Sequence, residues 1–287
     1  MQRKKKLEEL TLKDNFMFGA VMSDEKNCRD FLEMTLGFPI EKVAVSREKS
    51  MVYHPEYRGV RLDIYARDAN HTRYNVEMQA VRKSALGRRA RYYHGQIDME
   101  TLRSGMAYAE IPDTYVIFIC DFDPFGQEKY CYTFKTCCLE CQGLDMQDGS
   151  RSIFLSTCGK NENEVSKKLV NFLRFLKADI EECKEDFGDE FVRQLQKSVR
   201  NIKESREMEE KFMIFEEMLQ DERAEGKAEG KAEGKAEDIL ELLEELGAVP
   251  DDLRVRIMSE RDLAVLKGWH KKAARADSIQ QFLRSME

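Results

Sequence analysis

Two neighbouring segments with alternating apolar and polar residues constrain the fold most. The apolar positions of the first segment are Val60, Leu62, Ile64 and Ala66, and those of the second are Tyr74, Val76, Met78 and Ala80. Asp68-Ala69-Asn70 lies between them and is typical of a turn. A period of two on both sides of a turn predicts an antiparallel hairpin with one apolar and one polar face.

The rest of the chain predicts an α/β region followed by helices. A helix is expected over 24–36, a strand from Val43, a long helix over 84–108, and a buried strand over 115–120. Further strands are expected over 129–134 and 152–155, and helices over 161–177 and 190–223. The pattern predicts a core over 1–155, a helical extension packing on it over 156–223, and a helical tail over 238–287.

An Ala-Glu-Gly-Lys repeat over 224–237 separates the last two regions. Its period of four places like charges at i,i+4, where they repel, and each glycine costs a helix about 1 kcal/mol relative to alanine. We therefore expect a linker, either a marginal helix or a flexible segment. The helical tail beyond it could drive homo-oligomer formation.

Composition excludes several classes of protein. There are 54 acidic and 47 basic residues, and the resulting net charge of −7 rules out a surface that is basic overall, so any basic site must be local. The longest apolar run, over 115–120, is far shorter than the ~20 residues of a membrane span. The basic start leads into charged residues rather than an apolar stretch, so we expect no signal peptide and no membrane partner. The eight cysteines then indicate reduced thiols and a cytoplasmic protein.

The polar face of the hairpin carries the residues with the clearest chemistry. If the turn is centred near Asn70, residues whose numbers add up to 140 lie opposite each other, which pairs Asp63 with Glu77 and places Gln79 on the same face. Two neighbouring carboxylates repel unless a divalent cation lies between them or one is protonated. The alternative is a solvated hairpin face whose carboxylates pair with Arg61 and Arg73.

A local basic segment begins directly after the second strand. Its candidate DNA-binding residues are Arg82, Lys83, Arg88, Arg89, Arg91 and Tyr92. Phosphate backbones attract such local positive charge, and tyrosines can stack or hydrogen-bond on nucleic acid. A metal between carboxylates beside a basic helix indicates phosphodiester hydrolysis. The alternative is an ordinary solvated helix face.

These motifs together resemble a known family. The order of helices and strands, with Asp63 and then Glu77-Met78-Gln79 on successive strands, resembles the PD-(D/E)XK nuclease core. The fuller pattern comprises Asp14-Asn15-Phe16-Met17-Phe18, Leu62-Asp63-Ile64, Val76-Glu77-Met78-Gln79, Arg91-Tyr92-Tyr93 with Gly105 and Tyr108, Asp121-Phe122, and the tail repeats. This pattern resembles the Rpn family of recombination-promoting nucleases or transposases.

The resemblance implies a restriction-endonuclease-like core, in which helices flank a mixed sheet, and a metal-dependent DNA endonuclease acting on double-stranded DNA. Asp63 and Glu77 match the metal-binding acids, the main-chain carbonyl of Met78 could add a ligand, and Mg²⁺, Mn²⁺ or Ca²⁺ would suit these oxygen atoms. Gln79 stands where the wider superfamily has lysine, so its amide would orient water or phosphate, and Arg82 or Lys83 could supply the missing charge.

Two further acids and a second function stay open. Acids from the first helices sometimes join the site in this superfamily, which makes Asp14 and Glu33 accessory candidates, although a helix cap and a surface carboxylate are their ordinary roles. The alternative to an endonuclease is a nuclease-like module that binds DNA or a protein without cutting. The glutamine at 79 and the acidic net charge favour this alternative.

Overall fold

A computed structural model describes residues 5–51 and 59–286, apart from the side chains of Glu48 and Glu222. The chain divides into two compact units, the first ending at Glu210 and the second starting at Lys211. The first unit has the elements α1 (Asn15–Met22), α2 (Glu25–Leu36), β1 (Val43–Met51), β2 (Val60–Asp68), β3 (Arg73–Gln79), α3 (Leu86–Thr101), β4 (Thr114–Cys120), β5 (Cys131–Phe134), β6 (Ser150–Ser156), α4 (Lys167–Lys177) and α5 (Glu190–Lys203). The elements that follow are α6 (Arg206–Glu244), α7 (Asp251–Ser259), α8 (Leu263–Ala273) and α9 (Ile279–Ser285).

The strands form one mixed sheet in the order β1-β2-β3-β4-β6-β5. The first three strands are antiparallel neighbours, β4 runs parallel to both β3 and β6, and β5 is antiparallel to β6. Helix α3 is the crossover between the parallel strands β3 and β4, and it packs on the sheet as such connections normally do. The predicted mixed sheet with flanking helices and a helical C-terminal region is confirmed.

The β2–β3 hairpin has the predicted register. Ile64 pairs with Val76 and Tyr65 pairs with Asn75, so paired residue numbers add up to 140. The Asp68 carboxylate stabilises the turn because its Oδ1 atom accepts hydrogen bonds from the main-chain N–H groups of Asn70 and Thr72, each at 2.9 Å. The turn therefore fixes which side chains share a face.

The alternative of a solvated polar face is wrong for the β3 strand of this hairpin. Every residue of β3 after Arg73 is buried, so the polar side chains of Asn75, Glu77 and Gln79 are enclosed together with the apolar ones. Helix α3 covers this face, and its side chains join those of β4 in one hydrophobic cluster. Members of the cluster include Leu86, Ala90, Tyr93 and Ile97 of α3, and Val116 and Phe118 of β4.

Three helices are shorter than the pattern predicts. Helix α3 ends at Thr101 instead of reaching Tyr108, because Leu102 is extended and Gly105 has a φ of 90°, which a helix does not allow. Helix α4 begins only at Lys167, where Ser166 caps it. The segment predicted as mostly helical over 190–223 is interrupted between α5 and α6.

Helices α4 and α5 belong to the first unit and pack against its N-terminal helices. The Phe172 ring of α4 lies 5.3 Å from Phe31 of α2 and 6.0 Å from Phe191 of α5, measured between ring centroids. Contacts also join α5 to α1 and α2. The same helices α1 and α2 contact β1, and α1 also contacts β2, which connects the extension to the sheet.

The second unit is helical and has its own core. Its buried side chains include Ile239, Leu243, Ile257, Leu266, Trp269 and Phe282. The tetrapeptide repeat is part of α6, a helix of 39 residues, so the predicted linker is helical throughout. Burial explains this outcome, since Ala232 and Ala236 of the repeat join the core of the unit. Arg261 lies 3.9 Å from both Glu229 and Glu233, which offsets the repulsion between these like charges.

Two further findings concern the whole described chain. Within residues 5–51 and 59–286, no helix is both long enough and apolar enough to cross a bilayer. All eight cysteines have free thiols.

The repeat offers a matched test of this packing, because Ala228 is exposed and Ala232 is buried in identical local sequences. Ala232→Glu places a carboxylate in the core of the second unit, and we expect it to lower the free energy of unfolding by about 3 kcal/mol. Ala228→Glu should change it by less than about 0.5 kcal/mol. Urea unfolding followed by the fluorescence of Trp269, the single tryptophan, measures this unit specifically. Equal effects of the two substitutions would contradict the packing of the repeat.

Candidate active site

The carboxyl end of β3 carries the candidate site. Glu77 and Gln79 occupy alternate positions at this end and therefore share a face, and Asp63 of the adjacent strand β2 lies beside them. β3 and β4 are parallel and end together, since the N–H of Asp121 donates to the carbonyl oxygen of Gln79 at 3.0 Å. The carboxyl ends of parallel strands are a common position for functional side chains in open α/β sheets.

Asp63 and Glu77 contact each other's strands through their carboxylates. The main-chain N–H of Asp63 donates to Oε1 of Glu77 at 3.2 Å, and the N–H of Met78 donates to Oδ2 of Asp63 at 3.1 Å. These bonds follow directly after the regular β2–β3 pairing, which extends to Ile64 and Val76. The two predicted acids therefore meet at one point, with Glu77 completely buried and Asp63 partly exposed.

The guanidinium of Arg89, on α3, contacts both Glu77 and Gln79. Its Nη2 atom lies 2.8 Å from Oε2 of Glu77, and its Nη1 atom donates to Oε1 of Gln79 at 3.1 Å. The Nε atom of Arg89 donates to the hydroxyl oxygen of Tyr93 at 2.6 Å, and that hydroxyl lies 3.4 Å from Oε2 of Glu77. One guanidinium thus holds both predicted site residues of β3.

Burial gives Glu77 unusual electrostatics. Enclosure away from water, and then the negative charge of Asp63, raise the pKa of Glu77 to about 8, while the Arg89 guanidinium opposes this rise. Burial and the Glu77 carboxylate likewise raise the pKa of Tyr93 to about 12, so its hydroxyl stays protonated at neutral pH. Arg89 therefore stabilises the charged form of Glu77, and a divalent cation bound by the same carboxylate would do the same.

The oxygen atoms at this point fit a hard divalent cation. In the part of the chain that the structure describes, no three His, Cys, Asp or Glu side chains group closely enough to hold a metal ion. A metal here would therefore be held by Asp63 and Glu77 with a main-chain carbonyl, and Met78 offers one between the two site residues of β3.

A buried amide beside Glu77 supports the same conclusion. Asn75 lies two residues before Glu77 on β3 and shares its face, and it is completely buried. The amide helps to lower the pKa of Glu77, but neither of its polar atoms forms a hydrogen bond of normal geometry with any described residue. A buried amide without such a bond costs free energy, so its interaction with Glu77 compensates both groups only in part.

Gln79 is oriented on both sides. Its Nε2 atom donates to the carbonyl oxygen of Met78 at 3.0 Å, and its Oε1 atom accepts from Arg89. A carbonyl oxygen has two lone pairs, so this hydrogen bond orients the Met78 carbonyl and leaves one lone pair available for a metal ion. Gln79 therefore fixes one candidate metal ligand and also connects it to the guanidinium.

The predicted basic segment divides into two groups. Arg88, Arg91 and Tyr92 lie on the exposed side of α3, and Lys83 is exposed in the segment before the helix. Arg82, also exposed, donates to the main-chain carbonyl of Asp123 at 2.6 Å and lies over the ring of Phe122. Arg89 belongs to the second group, because its guanidinium points to Glu77 and Gln79 rather than away from the protein.

The two accessory candidates have local structural contacts. Asp14 accepts a hydrogen bond from the main-chain N–H of Thr11 at 2.8 Å and pairs with Lys5 at 2.7 Å, next to the start of α1. Glu33 accepts from the N–H of Ile40 at 2.7 Å and so stabilises the segment after α2. These contacts do not join either acid to Asp63 or Glu77.

Sequence reasoning missed the inward side of α3 and the amide of Asn75. Arg89, Tyr93 and Ile97 recur at i, i+4 and i+8, and Tyr93 and Ile97 are buried. This helical phase was a usable signal that Arg89 faces the sheet while Arg88 and Arg91 do not. For Asn75 the signal was its position two residues before Glu77 on the same face of a strand.

The family model of PD-(D/E)XK nuclease family transposases matches residues 12–229 of the 287 residues. This range contains every residue of the site just described. No curated protein and no solved structure matches the chain significantly.

The Glu77–Arg89 pair can be tested by a double-mutant cycle. Arg89→Met removes the guanidinium that stabilises the charged form of Glu77, so we expect the free energy of unfolding to fall by about 3 kcal/mol at about pH 9, above the pKa of about 8. Adding Glu77→Gln removes that charge, so the double variant should be less destabilised than the sum of both single variants, by about 2 kcal/mol. Urea unfolding followed by circular dichroism in a metal chelator measures these values. Arg88→Met is the matched control, and additive effects at 77 and 89 would contradict the pairing.

Proposed function

The chain belongs to the PD-(D/E)XK nuclease family transposases, and we propose that it is a divalent-metal-dependent DNA endonuclease that promotes recombination or transposition. The observation that carries this proposal is the meeting of Asp63 and Glu77 beside the Met78 carbonyl at the end of β3. Family membership supports the nuclease class, and the proposal adds the residues, the metal and the cleavage itself.

Asp63, Glu77 and the carbonyl oxygen of Met78 would hold Mg²⁺, and Mn²⁺ or Ca²⁺ would suit the same oxygen atoms. Such an ion supplies a Lewis acid that polarises a phosphoryl oxygen and lowers the pKa of a bound water. Asp63 is partly exposed and so lies on the side from which a phosphodiester can approach. Glu77 provides the inner wall of the site, where its burial excludes bulk water.

Gln79 cannot act as a general base, because an amide neither accepts a proton at neutral pH nor carries positive charge. Its hydrogen bond to the Met78 carbonyl instead keeps that ligand in place, and its contact with Arg89 holds a cation next to Glu77. In this proposal Gln79 orients the site, and the positive charge that a lysine would bring comes from α3.

Double-stranded DNA is the proposed substrate, and the exposed side of α3 is the proposed backbone contact. Arg88 and Arg91 lie three residues apart on the same side of the helix, with Tyr92 beside Arg91. This side of α3 is positively charged, whereas the protein as a whole is acidic. Nucleic-acid phosphates are therefore expected to bind at this side of the helix and not over the whole protein surface. Lys83 extends the positive charge towards the end of β3.

Cleavage tests the central residues. Purified protein should nick supercoiled plasmid DNA in Mg²⁺, and Asp63→Asn and Glu77→Gln should each lower the rate by at least about 100-fold, since each removes a charged metal ligand. Glu164→Gln is the matched control, because Glu164 is an exposed carboxylate that pairs with Lys129. It should nick at the rate of the unchanged protein.

Two outcomes would contradict an endonuclease. Equal nicking by Asp63→Asn and the unchanged protein would mean that the site does not cut. DNA binding without nicking in any divalent cation would favour a nuclease-like module that binds DNA without cutting it, which the pairing of Glu77 with Arg89 makes a concrete second candidate.

Salt dependence of DNA binding tests the exposed side of α3. Each phosphate contact contributes about −0.9 to the slope of log affinity against log salt concentration. Arg88→Gln and Arg91→Gln should each weaken binding of duplex DNA of any sequence and reduce the magnitude of the slope by about 1. Fluorescence anisotropy in a metal chelator, with Arg103→Gln as the exposed control, measures both quantities. Unchanged slopes would exclude α3 as the contact.

A further inference from the structure

We propose that Arg89 competes with the divalent cation for Glu77 and, once displaced, contacts the substrate phosphate. This inference rests on the proposed function and adds a residue to it. Without a metal ion, Arg89 pairs with Glu77 and keeps the carboxylate at the position where it would bind the ion. The missing lysine at position 79 is thereby replaced by a mobile cation from α3.

Arg89 has the contacts expected of an internal counter-ion. Its guanidinium donates to Glu77, Gln79 and Tyr93, and its Cζ atom lies 5.1 Å from the ring centroid of Tyr93 and 5.6 Å from that of Phe118. The planar guanidinium presents its N–H groups in fixed directions, so one side chain contacts Glu77, Gln79 and Tyr93 in a defined geometry. The faces of these aromatic rings attract the guanidinium through cation–π interactions.

Electrostatic repulsion makes it unfavourable for the Arg89 guanidinium and a divalent cation to contact Glu77 at the same time. Arg89 lies 2.8 Å from Oε2 of Glu77, so a cation bound by this carboxylate would lie within a few ångströms of the guanidinium. A divalent and a monovalent cation repel each other at such a distance, and the burial of Glu77 reduces the screening of this repulsion by water. Glu77 also has a single carboxylate for both, so its contact with Arg89 weakens as the ion is bound.

The side chain of Arg89 can leave without disturbing the core. It is 30% exposed, whereas Glu77 is fully buried, so Arg89 reaches the site from the solvent side. Released from Glu77, it stays tied to Gln79 and Tyr93, next to the position at which a phosphodiester would approach Asp63. A guanidinium at that place can donate two hydrogen bonds to phosphate oxygens.

The affinity for Mn²⁺ without DNA tests this competition. Arg89→Gln keeps an amide that can donate to Glu77 but removes the charge, and we expect it to bind Mn²⁺ about tenfold more tightly than the unchanged protein by isothermal titration calorimetry. Arg103→Gln removes the same charge from an exposed position outside the site, where water and salt screen it, and should stay within about twofold. A residue that only supports the fold, or that helps to hold the ion, would give weaker binding when replaced.

Cleavage at saturating Mn²⁺ gives the second readout. Arg89→Gln should nick plasmid DNA about 100-fold more slowly, although its metal site is filled more readily, because a donor to the reacting phosphate is lost. Tighter metal binding together with slower cleavage is the signature of the proposal. Equal or weaker Mn²⁺ binding by Arg89→Gln overturns it, and so does unchanged cleavage.

A measurement on the unchanged protein covers the case in which Arg89→Gln does not fold. In NMR spectra, the Nε–H resonance of Arg89 should shift when the protein is saturated with Mg²⁺. The same resonance should not shift in Asp63→Asn. If it does not shift in the protein without substitutions either, the proposed competition is overturned. The proposed function fails separately, if neither Asp63→Asn nor Glu77→Gln alters Mn²⁺ binding. Mn²⁺ binding that depends on Asp63, without tightening in Arg89→Gln, overturns only the role of Arg89.

Discussion

The burial of Glu77 is the constraint on which the rest of the site depends. A completely enclosed carboxylate beside a second one is unfavourable unless positive charge and hydrogen-bond donors compensate it. Arg89 and the hydroxyl of Tyr93 provide this compensation, and both come from a single turn of α3. The crossover helix therefore does more than cover the sheet. It also supplies the guanidinium that opposes the rise in the pKa of Glu77.

Much of this arrangement follows from the sequence, and the reason is the strict period of a strand. Alternation over 60–66 and 74–80, together with the turn at Asp68, sets the register and so places Asp63 and Glu77 together. The environment of that face is a different matter. Alternation looks the same for a polar face in water and for one enclosed by a helix, and only the tertiary packing of α3 distinguishes them.

The tail shows the same limit of local pattern. Ala228 and Ala232 stand in identical repeats, but only Ala232 contacts the core of the second unit. Like charges at i,i+4 and repeated glycines predict a marginal helix, and these local costs are real. They are outweighed by burial of alanines and by Arg261, which approaches Glu229 and Glu233 from a different segment of the chain. Neither effect is visible in the repeat itself.

The role of the Gln79 amide depends on its contacts with Arg89 and with the Met78 carbonyl. A lysine on β3 would bring its own charge to the carboxylates on a flexible chain. Gln79 has no charge, and its amide oxygen accepts a hydrogen bond from a guanidinium that belongs to another element. The charge is then adjustable, because Arg89 can change partners while Gln79 and the Met78 carbonyl keep their places. In the proposed arrangement, separating the fixed ligands from the movable cation lets one site be stable without a metal ion and still bind one.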